Sequence, residues 1–127
     1  MDAHKILQSV FKYQEFRQGQ LAVIEAALAG RHQLVIMPTG SGKSVCFQVT
    51  ALCLPGTTVV LSPLIALMKD QVDQARRKGI ACTFINSSLT KTERERRYKQ
   101  VRENQYKLVY VTPERFRSDD FLRCLQG

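Results

Sequence analysis

Lys43 and Ser44 close a glycine-rich run, Met37-Pro38-Thr39-Gly40-Ser41-Gly42, that directly follows the apolar triplet Leu34-Val35-Ile36. A strand that ends in such a turn and opens a helix aims successive backbone N–H groups, and the positive end of the helix dipole, at one point in space. Polyphosphate is the ligand such a point prefers. The Lys43 ammonium then supplies a mobile charge for the β- and γ-phosphates, and the Ser44 hydroxyl is placed to bind Mg²⁺ bridging the same oxygens. The general pattern asks for glycine where Met37 stands, so the context has to carry part of the reading. Val45-Cys46-Phe47-Gln48-Val49 supply it, continuing as a helix with an apolar face. A Gly/Ser loop that merely turns a corner is the bland alternative.

Three further segments carry groups suited to chemistry. Tyr13-Gln14-Glu15-Phe16-Arg17-Gln18-Gly19-Gln20 offers a ring, a guanidinium and a carboxamide. A carboxamide complements the N6/N7 edge of adenine, and Arg stacks on ring faces. The same residues also read as a plain polar entry to a helix. Val60-Leu61-Ser62-Pro63-Leu64 leads from a strand into a helix that carries Lys69, and a helix N-terminus accepts backbone phosphate as readily as nucleotide phosphate. Leu108-Val109-Tyr110-Val111-Thr112-Pro113-Glu114-Arg115 repeats that arrangement, with the Thr112 hydroxyl and the Arg115 guanidinium at the strand end.

The elements that must position these groups follow from apolar periodicity and punctuation. Ile6, Leu7, Val10 and Phe11 recur at helical spacing, as do Leu21, Val23, Ile24, Ala27 and Leu28 before Gly30. Strands are expected at Gln33 to Met37, Thr57 to Leu61, Ala81 to Ile85 and Lys107 to Val111. Between them come the Lys43 helix, a helix with Ser62 as N-cap and Pro63 at its first position that runs to about Lys78, and a charged helix from Thr90 to about Asn104. Ser118 or Asp119 caps a last short helix carrying Phe121, Leu122 and Leu125. Strands alternating with helices make a parallel α/β sheet, whose ligands gather at the carboxyl ends of the strands.

At 127 residues and 44% hydrophobic content the chain is at most one globular domain, or a piece of one. Its formal charge of +8, from 19 Lys and Arg against 11 Asp and Glu, suits a polyanionic partner such as nucleic acid. Cys46, Cys53, Cys82 and Cys124 show no C-x-x-C spacing and sit in apolar surroundings, which argues for free thiols in a reducing compartment. No signal-peptide core is visible, and no apolar run approaches the roughly twenty residues that span a bilayer. An intracellular, soluble protein without a membrane partner is expected. Asn86-Ser87-Ser88 matches a glycosylation acceptor but reads as a loop.

Taken together these blocks resemble the RecQ family of DNA helicases, within superfamily 2, over Phe11 to about Phe116. Tyr13 with Phe16-Arg17-Gln18-Gly19-Gln20 resembles motif 0, and Met37 to Ser44 with Cys46-Phe47-Gln48 resembles motif I. Ser62 to Val72 resembles motif Ia, and Tyr110 to Arg115 motif Ib. Met37, the misfit in the general pattern, is common in this family. The resemblance implies a P-loop NTPase of RecA-like fold, a three-layer parallel sheet with helices on both faces, incomplete at the C-terminus. It implies ATP and Mg²⁺ as cofactors, with Gln20 reading adenine, Tyr13 and Arg17 packing on the base, and Thr39, Gly40, Ser41, Gly42, Lys43 and Ser44 serving phosphate and metal. It further implies that Ser62, Pro63, Leu64, Lys69, Thr112, Pro113 and Arg115 contact DNA, presented as a single strand or a tailed duplex. Lys12 stands where the family usually has Gly, Ser41 where a third Gly is common, Phe47 for Tyr and Thr50 for Pro.

Hydrolysis needs an acid at the end of an apolar strand to hold Mg²⁺ and orient water. Asp119-Asp120 lacks a preceding strand, and Glu114 falls in the motif Ib match. The resemblance implies that motif II, motif III and a second RecA-like domain follow, and that two strands are missing between the Gln33 to Met37 strand and the Thr57 to Leu61 strand. The expectation is therefore the ATP-binding portion of a helicase active in repair and recombination, able to bind nucleotide and DNA without unwinding. A catalytically silent basic module built on Arg94, Arg96, Arg97 and Lys99 is the alternative, and a small P-loop phosphotransferase is a third reading.

Overall fold

The computed structural model describes residues 2–36 and 43–126. Two compact units divide the chain, Met1–Pro55 and Gly56–Gly127.

The first unit holds three helices: α1 (Ala3–Val10), α2 (Gln20–Leu28) and α3 (Lys43–Cys53). Asp2 caps α1, its carboxylate accepting from the His4 N–H at 3.0 Å. Both α1 and α2 pack against α3. Ile6, Leu7, Phe11, Ile24, Val45, Cys46, Val49 and Ala51 are buried, which is the face that the helical spacing selects. Within α3 the buried Thr50 hydroxyl donates to the Cys46 carbonyl at 2.7 Å.

Of the strand expected at Gln33 to Met37, the described part, Gln33–Ile36, is not a strand. Gln33–Ile36 carry no ladder, and Leu34 and Ile36 stand 88% and 87% exposed. Gln33 is tied instead to α2, its Nε2 donating to the Val23 carbonyl at 2.8 Å. High β-propensity in Leu-Val-Ile does not make a strand without a neighbour to satisfy its backbone. The rest of that stretch, Met37 to Gly42, lies outside the described residues.

Helix α1 stops at a residue that would be expected to be glycine. Lys12 has φ = +63°, in the left-handed region, while the Tyr13 N–H reaches back to the Leu7 carbonyl at 3.2 Å. A Cβ in that conformation costs about 1 kcal/mol. We expect Lys12→Gly to stabilise the first unit by roughly 0.5–1 kcal/mol, seen as a rise in its thermal midpoint. A fall in the midpoint would show that the Lys12 side chain makes contacts worth more than the strain.

The second unit alternates strand and helix: β1 (Thr58–Leu61), α4 (Ile65–Arg77), β2 (Cys82–Ile85), α5 (Lys91–Arg102) and β3 (Leu108–Val111). A 3₁₀ turn (Pro113–Arg117) and α6 (Asp119–Gln126) follow. The strands form a parallel sheet in the order β1-β3-β2, with Thr58 and Cys82 both level with Leu108, and Leu61 and Ile85 both level with Val111. All four residues of β3 are buried, as an unbroken apolar run in a central parallel strand requires. Parallel crossovers are right-handed. The β1-α4-β2 and β2-α5-β3 crossovers traverse the sheet in opposite directions, so α4 and α5 cover opposite faces and three layers result. On the α5 face Val109, Val111 and Ile85 pack with Tyr98, Val101, Phe121 and Cys124. On its outer side β1 meets no other strand among the described residues, and Leu61 is 56% exposed.

Local signals set the helix ends. Thr90 caps α5, its hydroxyl accepting from the Glu93 N–H at 3.2 Å. Gly79 (φ = +85°) and Asn104 (φ = +58°) close α4 and α5, each followed by an N–H that bonds five residues back. Ser118 caps α6, accepting from the Phe121 N–H at 3.3 Å. Ser62 is not the cap expected of it. Its hydroxyl accepts from the Leu64 N–H at 3.2 Å, closing a local turn, and α4 begins only at Ile65.

Candidate functional site

Parallel pairing of β1 with β3 delivers two chain segments to one place. Ser62 extends the ladder by one bond, its N–H donating to the Val111 carbonyl at 2.9 Å, so Ser62-Pro63 and Thr112-Pro113 leave the sheet side by side. A groove of about 410 Å³ opens there, lined by Pro63, Ile65, Thr112, Pro113, Glu114 and Arg117. It lies at the carboxyl ends of the strands, where ligands of open parallel sheets bind.

Thr112 is buried and its hydroxyl donates to the Glu114 carboxylate. That bond holds the Glu114 carboxyl below the usual range, with Arg115 and Arg117 assisting. Arg115 is half-buried. Its Nη1 donates to the Tyr98 hydroxyl at 3.4 Å, and its Nε finds no acceptor among the described residues. Leu64 is exposed, and Lys69, one turn beyond Ile65 on the same side of α4, pairs with Asp73 at 3.6 Å. Of the residues expected to contact DNA, the sheet thus brings Pro63, Thr112 and Pro113 into one groove, with Ser62 and Leu64 adjacent in the chain. Arg115 turns toward α5. Arg117 was not among the expected residues, and Glu114 entered only as a candidate acid. Their signal was Pro113: it starts a 3₁₀ turn, in which residues three apart share a side, so Glu114 and Arg117 face the groove together.

In the first unit, Gln20 opens α2 and is only 3% exposed. Its Oε1 accepts from the Arg17 N–H at 2.8 Å, which fixes the carboxamide plane. Gly19, before it, has φ = +86°. Tyr13 and Arg17 expose their side chains. Lys43 and Ser44 form the first turn of α3 and are both exposed, so ammonium and hydroxyl are open to a polyphosphate and metal. Thr39, Gly40, Ser41 and Gly42 lie outside the described residues.

The charged helix α5 uses its arginines internally. Arg94 donates to the Leu89 carbonyl and Arg97 to the Phe84 carbonyl, each at 2.7 Å, and Arg97 also lies over the Phe84 ring. Arg96 and Arg97 both pair with Glu93, holding its carboxyl below the usual range. A continuous free basic face is therefore not what this helix offers. The four cysteines are free, and burial pushes the Cys82 thiol up to about 12 and that of Cys124 to about 11. Asn86 is buried, accepting from the Ser88 N–H at 2.9 Å, which is the geometry of a loop rather than of a glycan acceptor. No described helix is long and apolar enough to cross a membrane.

Residues 17–125 match the DEAD/DEAH box helicase family model. The chain belongs to that family. Among curated relatives it is 49% identical over 123 residues to the ATP-dependent DNA helicase RecQ of Haemophilus influenzae, covering 97% of this chain and 20% of that protein. To the protein of the same name from Bacillus subtilis it is 47% identical over 126 residues, 98% of this chain and 21% of the relative. To the ATP-dependent DNA helicase Q1 of Mus musculus it is 43% identical over 112 residues, 87% of this chain and 17% of the relative. This DEAD/DEAH chain thus spans about a fifth of the length of the curated relatives it matches. The α/β fold with helices on both faces of a parallel sheet agrees with the family.

Proposed function

We propose that residues 1–127 form the part of a RecA-like ATP-binding domain that carries motifs 0, I, Ia and Ib of a RecQ-type, ATP-dependent DNA helicase, and that they bind nucleotide and DNA without hydrolysis. The observation that carries the DNA reading is the groove in which Pro63 and Ile65 of one strand end meet Thr112, Pro113 and Arg117 of the next. The relatives' names supply ATP and DNA as ligands.

Lys43 and Ser44 hold the phosphates and Mg²⁺, with Thr39, Gly40, Ser41 and Gly42 as the phosphate loop. The ion, when bound, offsets charge on the phosphate oxygens. Gln20 reads the adenine edge with a carboxamide oriented by Arg17, and Tyr13 with Arg17 covers the base. Ser62, Pro63, Leu64, Lys69, Thr112 and Pro113 face single-stranded or tailed duplex DNA, and Arg115 joins them only by giving up its bond to Tyr98. Lys69 does so in exchange for an exposed pairing with Asp73, which is worth little. Unwinding belongs to a larger assembly with a second RecA-like domain. Glu114 makes a poor hydrolytic acid, because Thr112 fixes its carboxylate in the groove at the ends of β1 and β3.

The test is ATP–Mg²⁺ binding and turnover by the purified chain, with and without single-stranded DNA. Saturable binding with no turnover above background is expected. DNA-stimulated turnover would sink the non-hydrolytic reading and return Glu114 to the role of metal-holding acid.

A further inference from the structure

The groove at the ends of β1 and β3 has a composition that backbone contact alone does not call for. Phosphate contact asks for cations and N–H donors. Here the wall between Thr112 and Arg117 instead carries a carboxylate, Glu114, fixed by the Thr112 hydroxyl and held ionised by that bond and by its arginine neighbours. An ionised carboxylate only accepts hydrogen bonds, and beside a phosphate it repels. The same groove is lined by the apolar surfaces of Pro63, Ile65 and Pro113. Apolar walls, one acceptor and one cation match a nucleotide whose base enters the groove while its phosphate stays at Arg117.

Resting on the DNA-binding reading, we infer that this groove receives one base of a single strand and that Glu114 selects bases bearing an exocyclic amino group. Cytosine offers its N4 amino group on the edge next to C5–H, where no acceptor opposes the carboxylate. Uracil presents a carbonyl at that position, and its one ring N–H is flanked by two carbonyl oxygens that repel Glu114. The two bases otherwise stack alike. Arg117 sits three residues along the same 3₁₀ turn and carries the opposite charge, so it offsets the repulsion that Glu114 exerts on the strand. The groove volume of about 410 Å³ leaves room for a pyrimidine.

The experiment compares the full chain's affinity for oligo-deoxycytidine and oligo-deoxyuridine of equal length, at pH 8 and low salt, by fluorescence anisotropy. Cytidine should bind about fivefold more tightly, a fraction of what a fully buried charged hydrogen bond gives. Glu114→Gln should bring the ratio to about one, since a carboxamide both donates and accepts. Arg117→Ala should weaken both oligomers alike, flatten the salt dependence and keep the ratio. An oligomer of N4,N4-dimethylcytidine, which has no amino hydrogens, should bind wild type no better than deoxyuridine; this arm needs no variant to fold. Equal affinities in wild type, or a preference that survives either Glu114→Gln or dimethylation, overturns the selectivity and leaves DNA binding standing. Binding to none of the oligomers overturns the DNA-binding reading itself, and the selectivity with it.

Discussion

Phe121→Ala should destabilise the second unit by about 4 kcal/mol, enough to unfold a large share of it. Phe121 is fully buried where α6 lies on the sheet. Its ring meets Phe116 edge-on, with centroids 5.3 Å apart, and Tyr98 at 5.9 Å in a tilted pair. The same cluster includes Val109 and Val111 of the central strand, so the cavity would open against the least yielding part of the unit. Phe121→Leu keeps most of the volume and should cost about 1–1.5 kcal/mol. Leu122→Ala, one residue on but facing solvent, should change stability by no more than about 0.5 kcal/mol. Urea titration followed by tyrosine fluorescence separates these outcomes, because Tyr98, Tyr106 and Tyr110 lie in this unit and only Tyr13 in the other. A Phe121→Ala midpoint within experimental error of wild type would mean that α6 is not part of the core.

The Leu122 contrast shows where sequence pattern stops being sufficient. Phe121, Leu122 and Leu125 all read as apolar positions of one short helix. Only packing reveals that Phe121 and Cys124 face in while Leu122 and Leu125 face out. The strands Thr57 to Leu61, Ala81 to Ile85 and Lys107 to Val111 were legible because each apolar run follows a sharp stop, at Pro55-Gly56, Gly79 and Asn104 respectively. The described part of the Gln33 to Met37 run, Gln33–Ile36, is equally apolar and is no strand, since a strand is made by its neighbour and no residue in the run specifies one. Glu114 and Arg117 illustrate the same gap at the site. Their types were visible, yet the 3₁₀ turn that aligns them and the neighbouring strand end that completes the groove are properties of the fold. Gln20 was the reverse case: its place after Gly19 was plain in sequence, and the bond that orients its amide involves only Arg17, three residues away.

Lys43→Ala should lower ATP affinity about a hundredfold while leaving the fold as stable as before or slightly more so. The argument begins with what α3 does not need. Its first turn contains no acid, and a cation there opposes the helix dipole by about 0.3–1 kcal/mol. Lys43 is exposed, and alanine is the better helix former, so among the described residues nothing in folding favours the lysine. A triphosphate reverses that balance, because the ammonium then meets several anionic oxygens at once. Charge-assisted bonds of about 1.5–3 kcal/mol each account for the expected loss, each 1.4 kcal/mol being tenfold. Ser44→Ala supplies the complementary control: its deficit should appear in Mg²⁺ and vanish in EDTA, whereas that of Lys43→Ala should persist in both. Calorimetric titration with ATP, beside a thermal melt of each variant, reads all of these. If Lys43→Ala bound ATP as wild type does, the phosphates would have to be held elsewhere; if it lost affinity only in step with lost stability, the lysine would be structural.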